Sequence, residues 1–191
     1  AGEKATLLFH IPPGYDGYAS AASGPSCNAA VPLWKPRFAA RFLDLAARHR
    51  HVVAGVFAGH LHSDGFRVLG ADTSPHLPMH VVPSVSPVFG NNPAFTLFLY
   101  RRSDGRPLDS AVYFLQIANG RPVGDWRLEY TARAEYGLAG IGADALAKLS
   151  RRIADPDDPA AAAFRRNFAV RAHPRTNAAT WRAYLCAQTA F

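Results

Sequence analysis

The chain has 191 residues, 49% hydrophobic and 18% charged, the balance of a globular domain with one sizeable core rather than a disordered segment. Its formal charge of +7 comes from basic residues scattered singly or in pairs such as Arg101-Arg102 and Arg165-Arg166, with no long basic run and no motif that would mark specific nucleic-acid binding. No apolar run is long enough to span a bilayer, and the two cysteines, Cys27 and Cys186, lack the Cys-x-x-Cys spacing of zinc fingers, iron–sulfur sites or thioredoxin-like centres.

The N-terminus, Ala1-Gly2-Glu3-Lys4, has neither Met nor the layout of a signal peptide, which suits a chain that begins within a longer protein or after processing. Ala5 to His10 is a short apolar run halted at Ile11-Pro12-Pro13-Gly14, where two prolines remove backbone donors. It predicts a buried strand ending at His10. Gly14 to Pro32, rich in Gly, Ser, Ala and Tyr without periodicity, predicts a long loop of the functional or mobile kind. From Lys35 to His49, Phe38, Phe42, Leu45 and Ala46 recur at helical spacing opposite Arg37, Arg41, Asp44 and Arg48, and Pro36 suits a first helical turn. The β-branched run Val52 to Gly59 then predicts a buried strand that delivers His60-Leu61-His62 at its end. A helix leading into such a strand implies an α/β layer arrangement.

Further along, Phe66 to Leu69, His80 to Val85, Ala94 to Tyr100 and Ser110 to Ile117 predict strands of an antiparallel meander, the last two joined by a turn at Ser103-Asp104-Gly105-Arg106-Pro107. Helices are predicted over Asp144 to Arg152, Ala160 to Val170 and Ala178 to Ala187, with a break at Asp155-Pro156-Asp157-Asp158-Pro159. There is no internal repeat.

His10 and the His60-x-His62 pair each lie just past the C-terminal end of a predicted buried strand, the edge at which α/β sheets commonly build sites. Imidazole suits zinc, manganese or iron, and Gly59 permits close backbone approach. The competing reading is a hydrogen-bonded structural histidine, which is the commoner fate of a single His at a strand end. His49 and His51 flank a helix end, where imidazolium meets the dipole favourably, and His76, His80 and His173 sit in or beside loops, so no chemistry is assigned to these five. Asn91 and Asn92 are suited either to polarising a substrate or to a turn that positions Phe95, with the turn favoured. Tyr15 and Tyr18 either line a cleft or pack the early loop down.

Gly59-His60-Leu61-His62 is similar to the Gly-His-x-His of calcineurin-like metallophosphoesterases, and Phe9-His10-Ile11-Pro12-Pro13-Gly14 resembles the His-Ile-Pro-Pro-Gly of their acid sphingomyelinase-like branch. Pro83-Ser84-Val85-Ser86-Pro87 and Gly90-Asn91-Asn92-Pro93-Ala94-Phe95 look like that branch's Ser-x-Ser-Pro and Gly-x-Asn-Pro segments, in the same order. The resemblance implies an α/β fold: residues 1–140 as the second half of a four-layer αββα metallophosphoesterase sandwich, followed by a helical extension over 141–191. It implies two divalent metal ions, zinc foremost with manganese or iron as alternatives, His10 and His60 on one metal and His62 on the second. The activity implied is in-line hydrolysis of a phosphodiester or related phosphoric ester, sphingomyelin-like membrane lipid or nucleotide-type, by a hydroxide that the two metals activate.

The family's Asp-x-His, bridging Gly-Asp and Gly-Asn-His motifs do not occur in these 191 residues, and Asp16 and Asp64 read as turn or loop residues. Three neutral imidazoles without a bridging carboxylate cannot hold two dications at the separation such chemistry requires, so the chain alone is expected to be inactive. Its expected partners are the phosphoester substrate and the missing N-terminal half, without which an apolar sheet face and edge stay exposed. The alternative is a non-catalytic binding or packing module with its histidines unused. The branch implies a secreted or periplasmic protein, in which Cys27 and Cys186 are expected to pair.

Overall fold

The computed structural model describes residues 2–24, 30–70, 77–172 and 178–189. Strand β1 (Ala5–Phe9) stops short of Pro12-Pro13 as expected. The segment from Gly14 to Pro32, expected to be irregular, instead contains β2 (Tyr15–Asp16), helix α1 (Gly17–Ser23) and β3 (Val31–Pro32), with β2 and β3 antiparallel. The physical reason is a cap: the Asp16 carboxylate accepts the N–H groups of Tyr18 and Ala19, satisfying two orphan donors of a helix too polar and too short to show periodicity. Helix α2 (Pro36–Arg48) follows with Pro36 in its first turn, then the wholly buried β4 (Val53–Ala58), and β5 (Gly65–Leu69).

Strand β6 spans Leu77–Val81, earlier than the predicted His80 to Val85, because Pro83 has no N–H with which to continue the ladder. His80, read as lying in or beside a loop, is in this strand and buried. Strands β7 (Ala94–Tyr100) and β8 (Pro107–Phe114) form the expected hairpin, and Ile117 falls outside the second of them. Next come β9 (Ile117–Ala118) and β10 (Arg121–Pro122), joined through Asn119 and Gly120, both at positive φ, the sequence signature of a tight hairpin turn. Strand β11 (Arg127–Thr131) escapes sequence reading because its alternation is inverted: Leu128 is exposed while Glu129 is buried. Helices α3 (Ala132–Tyr136), α4 (Ala143–Ala154), α5 (Pro159–Phe168) and α6 (Ala178–Thr189) complete the chain.

The first sheet has the order β1-β4-β6-β5, with β1, β4 and β6 parallel and β5 antiparallel to β6. One face packs on α2 through Val56, Met79, Leu69 and Ala46. On the other, Phe57 and His80 meet Phe98 of the second sheet, ring centroids 4.8 Å and 5.2 Å apart. That second sheet is antiparallel with the order β11-β8-β7. Helices α4, α5 and α6 pack around Phe66 of β5 through Leu149, Ile153, Phe164 and Tyr184, so the helices beyond residue 140 share a core with the first sheet. Leu8 on the edge strand β1 is 75% exposed, and Leu97, Leu99 and Leu128 stand exposed on the second sheet. Among the described residues no helix is long and apolar enough to cross a membrane. The Cys27–Cys186 pairing involves Cys27, which lies outside the described residues, as do His76 and His173.

Candidate functional site

Parallel pairing of β1 with β4 brings their C-terminal ends to the same edge, with Phe9 opposite Ala58. The Gly59 N–H extends this register by donating to the His10 carbonyl at 3.1 Å. The imidazoles of His10 and His60, fifty residues apart in sequence, therefore meet: Nε2 of His10 lies 3.3 Å from Nδ1 of His60. Two nitrogens each ~2.1 Å from one tetrahedral ion lie roughly 3.4 Å apart, so the pair has the spacing of two ligands on a single metal.

His60 and His62 occupy the left-handed region at φ 68° and 56°, a conformation that costs a non-glycine residue about 1–3 kcal/mol and persists only where its surroundings hold it. Both side chains border a cavity of about 390 Å³ that Tyr18, Phe89, Asn91, Phe168 and Tyr184 also line. The His62 ring stands edge-on to Phe89 with centroids 4.7 Å apart, and its Nδ1 is buried without a hydrogen-bond partner. His10 is not part of that lining. Among the described residues no group of three or more His, Cys, Asp or Glu side chains is arranged to hold a metal ion. Two of the three histidines singled out by sequence thus meet at the strand edge, and the third shares a cavity with His60 without completing a three-donor cluster.

Several residues that sequence reading passed over hold this edge in place. Arg67 is fully buried, and its guanidinium donates to the carbonyls of Pro13 at 2.8 Å and Tyr15 at 2.6 Å, clamping the loop that follows His10. Burial lowers its pKa to about 10. Asp16 caps α1, as described above. Asp64, read as a loop residue, is buried: its carboxylate accepts the Tyr130 hydroxyl and its N–H donates to the Phe168 carbonyl at 3.1 Å. Burial raises the Asp64 carboxyl to about 7, against the opposing effect of the Tyr130 hydrogen bond. Glu129 is raised to about 8, first by burial and then by the Asp64 charge, and burial lowers His80 to about 4.

Asn91 and Asn92 take on more than a turn. The Asn92 side chain donates to the Val170 carbonyl at 2.8 Å and accepts the Ile117 N–H at 2.9 Å, tying the start of β7 to β9 and to the end of α5. Asn91 donates to the Ser86 carbonyl at 3.2 Å within its loop while also lining the cavity. Tyr18 lines the cavity, whereas Tyr15 contributes its carbonyl to Arg67. Inverted alternation and a charged residue inside a strand were the only traces in sequence of Glu129 and Arg67.

Comparison with known proteins is consistent with these motifs. The chain is 32% identical over 164 residues to the rat cyclic GMP-AMP phosphodiesterase SMPDL3A, covering 81% of this chain and 35% of that protein. It is 31% identical over 166 residues to human acid sphingomyelinase-like phosphodiesterase 3b, covering 81% of this chain and 34% of that protein. It is 28% identical over 163 residues to sphingomyelinase phosphodiesterase D of Dictyostelium discoideum, 80% of this chain and 35% of that protein. The chain thus spans about a third of the length of these relatives. The family profile for the acid sphingomyelin phosphodiesterase C-terminal region matches residues 74–177, a stretch that contains none of His10, His60 and His62 and so stands independently of them. On that match, the chain belongs to the acid sphingomyelin phosphodiesterase C-terminal-region family.

Proposed function

We propose that this chain is the part of a metal-dependent phosphodiesterase that carries three of its histidine ligands, the second half of a four-layer αββα sandwich with its helical extension, in an exported protein. The observation that carries the reading is the 3.3 Å approach of His10 Nε2 to His60 Nδ1 at the shared end of two parallel strands. The relatives named as phosphodiesterases support the reaction class.

In this reading His10 and His60 hold one divalent ion and His62 contributes to a second, zinc being the first choice for neutral imidazoles. Such ions supply water activation and stabilisation of phosphoryl oxygens. The chain's own residues orient the ligands and offer an apolar cavity beside them for the organic part of the ester, whether a lipid or a nucleotide. The remaining ligands, a bridging carboxylate above all, belong to the segment that the relatives have and these 191 residues lack.

The test is hydrolysis of a chromogenic phosphodiester with manganese or zinc. The 191-residue chain is expected to match its His62→Ala variant, and joining it to the relatives' preceding segment is expected to give turnover that His60→Ala abolishes. Metal-dependent turnover by a monodisperse 191-residue monomer, lost in His62→Ala, would overturn this division of the site. A second reading, a non-catalytic module, draws on the absence of a three-donor group among the described residues; it predicts no turnover even in the joined protein.

A further inference from the structure

The turn that carries His60 and His62 is held at both ends. Upstream, the Gly59 N–H is bonded to the His10 carbonyl. Downstream, Asp64 is the anchor, through its N–H to the Phe168 carbonyl and its carboxylate to the Tyr130 hydroxyl. Between the anchors lie two histidines in the left-handed region, with the Leu61 N–H turned back onto the Gly59 carbonyl at 2.8 Å. A backbone of that kind relaxes unless its surroundings over-determine it.

Asp64 itself does not line the cavity bordered by His60 and His62. It faces a smaller interior pocket together with His80, Tyr130 and Tyr136. Its carboxylate is therefore turned away from any ligand at the histidine edge and works through the backbone. Both anchors come from beyond residue 127: Tyr130 from β11 and Phe168 from the last turn of α5.

We infer that Asp64 is a positioning residue, which locks the left-handed His60-Leu61-His62 turn to β11 and to the end of α5 and so presents the imidazoles at the strand edge. The C-terminal helices then set the geometry of a site to which they lend no ligand. The inference rests on the reading of His10 and His60 as metal ligands, and the experiment separates the two.

Zinc affinity of the 191-residue chain is measured by competition with a chromogenic chelator, using zinc alone, and the histidine ring resonances are followed by NMR. Asp64→Ala and Tyr130→Phe are expected to weaken zinc binding about tenfold, with Asp64→Asn, which still accepts the Tyr130 hydroxyl, close to the parent chain. The core variant Leu149→Val, which lowers stability without touching the turn, is expected to leave zinc affinity unchanged. In Asp64→Ala the ring signals of His60 and His62 should shift or broaden while those of His49 and His51 stay in place. If the parent chain binds zinc no better than a His10→Ala/His60→Ala variant, the ligand reading fails and the NMR arm alone judges the inference. Unmoved His60 and His62 signals in Asp64→Ala, or equal zinc losses in Leu149→Val and Asp64→Ala, overturn it.

Discussion

Replacing Arg67 with Met tests whether a buried cation holds the His10 loop. The side chain is 0% exposed, and its hydrogen bonds to the carbonyls of Pro13 and Tyr15 join β5 to residues more than fifty positions earlier. Hydrogen bonds from a charged donor contribute about 1.5–3 kcal/mol each, so Arg67→Met forfeits about 3–6 kcal/mol. Against this, burial lowers the guanidinium from 12.5 to about 10. At ~1.4 kcal/mol per pH unit, Met is relieved of a penalty of about 3 kcal/mol. The two effects leave Arg67→Met less stable by about 0–3 kcal/mol, because Met fills most of the volume and adds little cavity cost. Arg67→Ala keeps the relief but opens a cavity, and is expected to lose about 2 kcal/mol more. The assay is urea unfolding at pH 7, with amide exchange of Tyr15 and Asp16 reporting the loop. If the amides of Tyr15 and Asp16 keep their protection in Arg67→Met, or that variant is more stable than the parent chain by over about 0.5 kcal/mol, the clamp does not exist as described.

The pH dependence of stability follows from the buried carboxyls. Glu129 is raised to about 8 and Asp64 to about 7, so the folded state binds more protons than the unfolded one above the ordinary carboxylate range; their contribution is complete below about pH 4.5 and is lost as pH rises through 7 and 8. His80, lowered to about 4, acts oppositely: its contribution is complete above pH 6.5 and is lost as pH falls through about 4. Between about pH 5 and 6.5 the two carboxyls outweigh the one histidine, so stability should fall across the whole range from about pH 5 to 8, and Glu129→Gln, which leaves Asp64 and His80 opposed, should make it nearly level below pH 6.5; an unchanged slope in denaturant titrations across pH would count against the assignment. Asn92→Ala, which strands the Val170 carbonyl and the Ile117 N–H, is expected to lower unfolding stability by about 2–4 kcal/mol, with Asn92→Asp recovering only the bond from Ile117. A midpoint equal to that of the parent chain would mean water replaces both bonds.

What the amino-acid sequence determined by itself was local. The apolar runs that became β1 and β4, the helical spacing of α2 and the breaking power of Pro12-Pro13 placed His10 and His60 at strand ends, because periodicity and missing donors act within a few residues. The meeting of those histidines was decided by the parallel register of β1 on β4 across the intervening α2, a long-range pairing that no local pattern encodes. Tertiary structure likewise decided the burial of Arg67, Asp64 and Glu129. Each breaks the apolar-inside rule, tolerable for Arg67 and Asp64 only because their partners, Pro13 and Tyr15, or Tyr130 and Phe168, arrive from distant parts of the chain. A buried charge is read from sequence as a surface residue, since its compensation lies in contacts that exist only once the chain has folded.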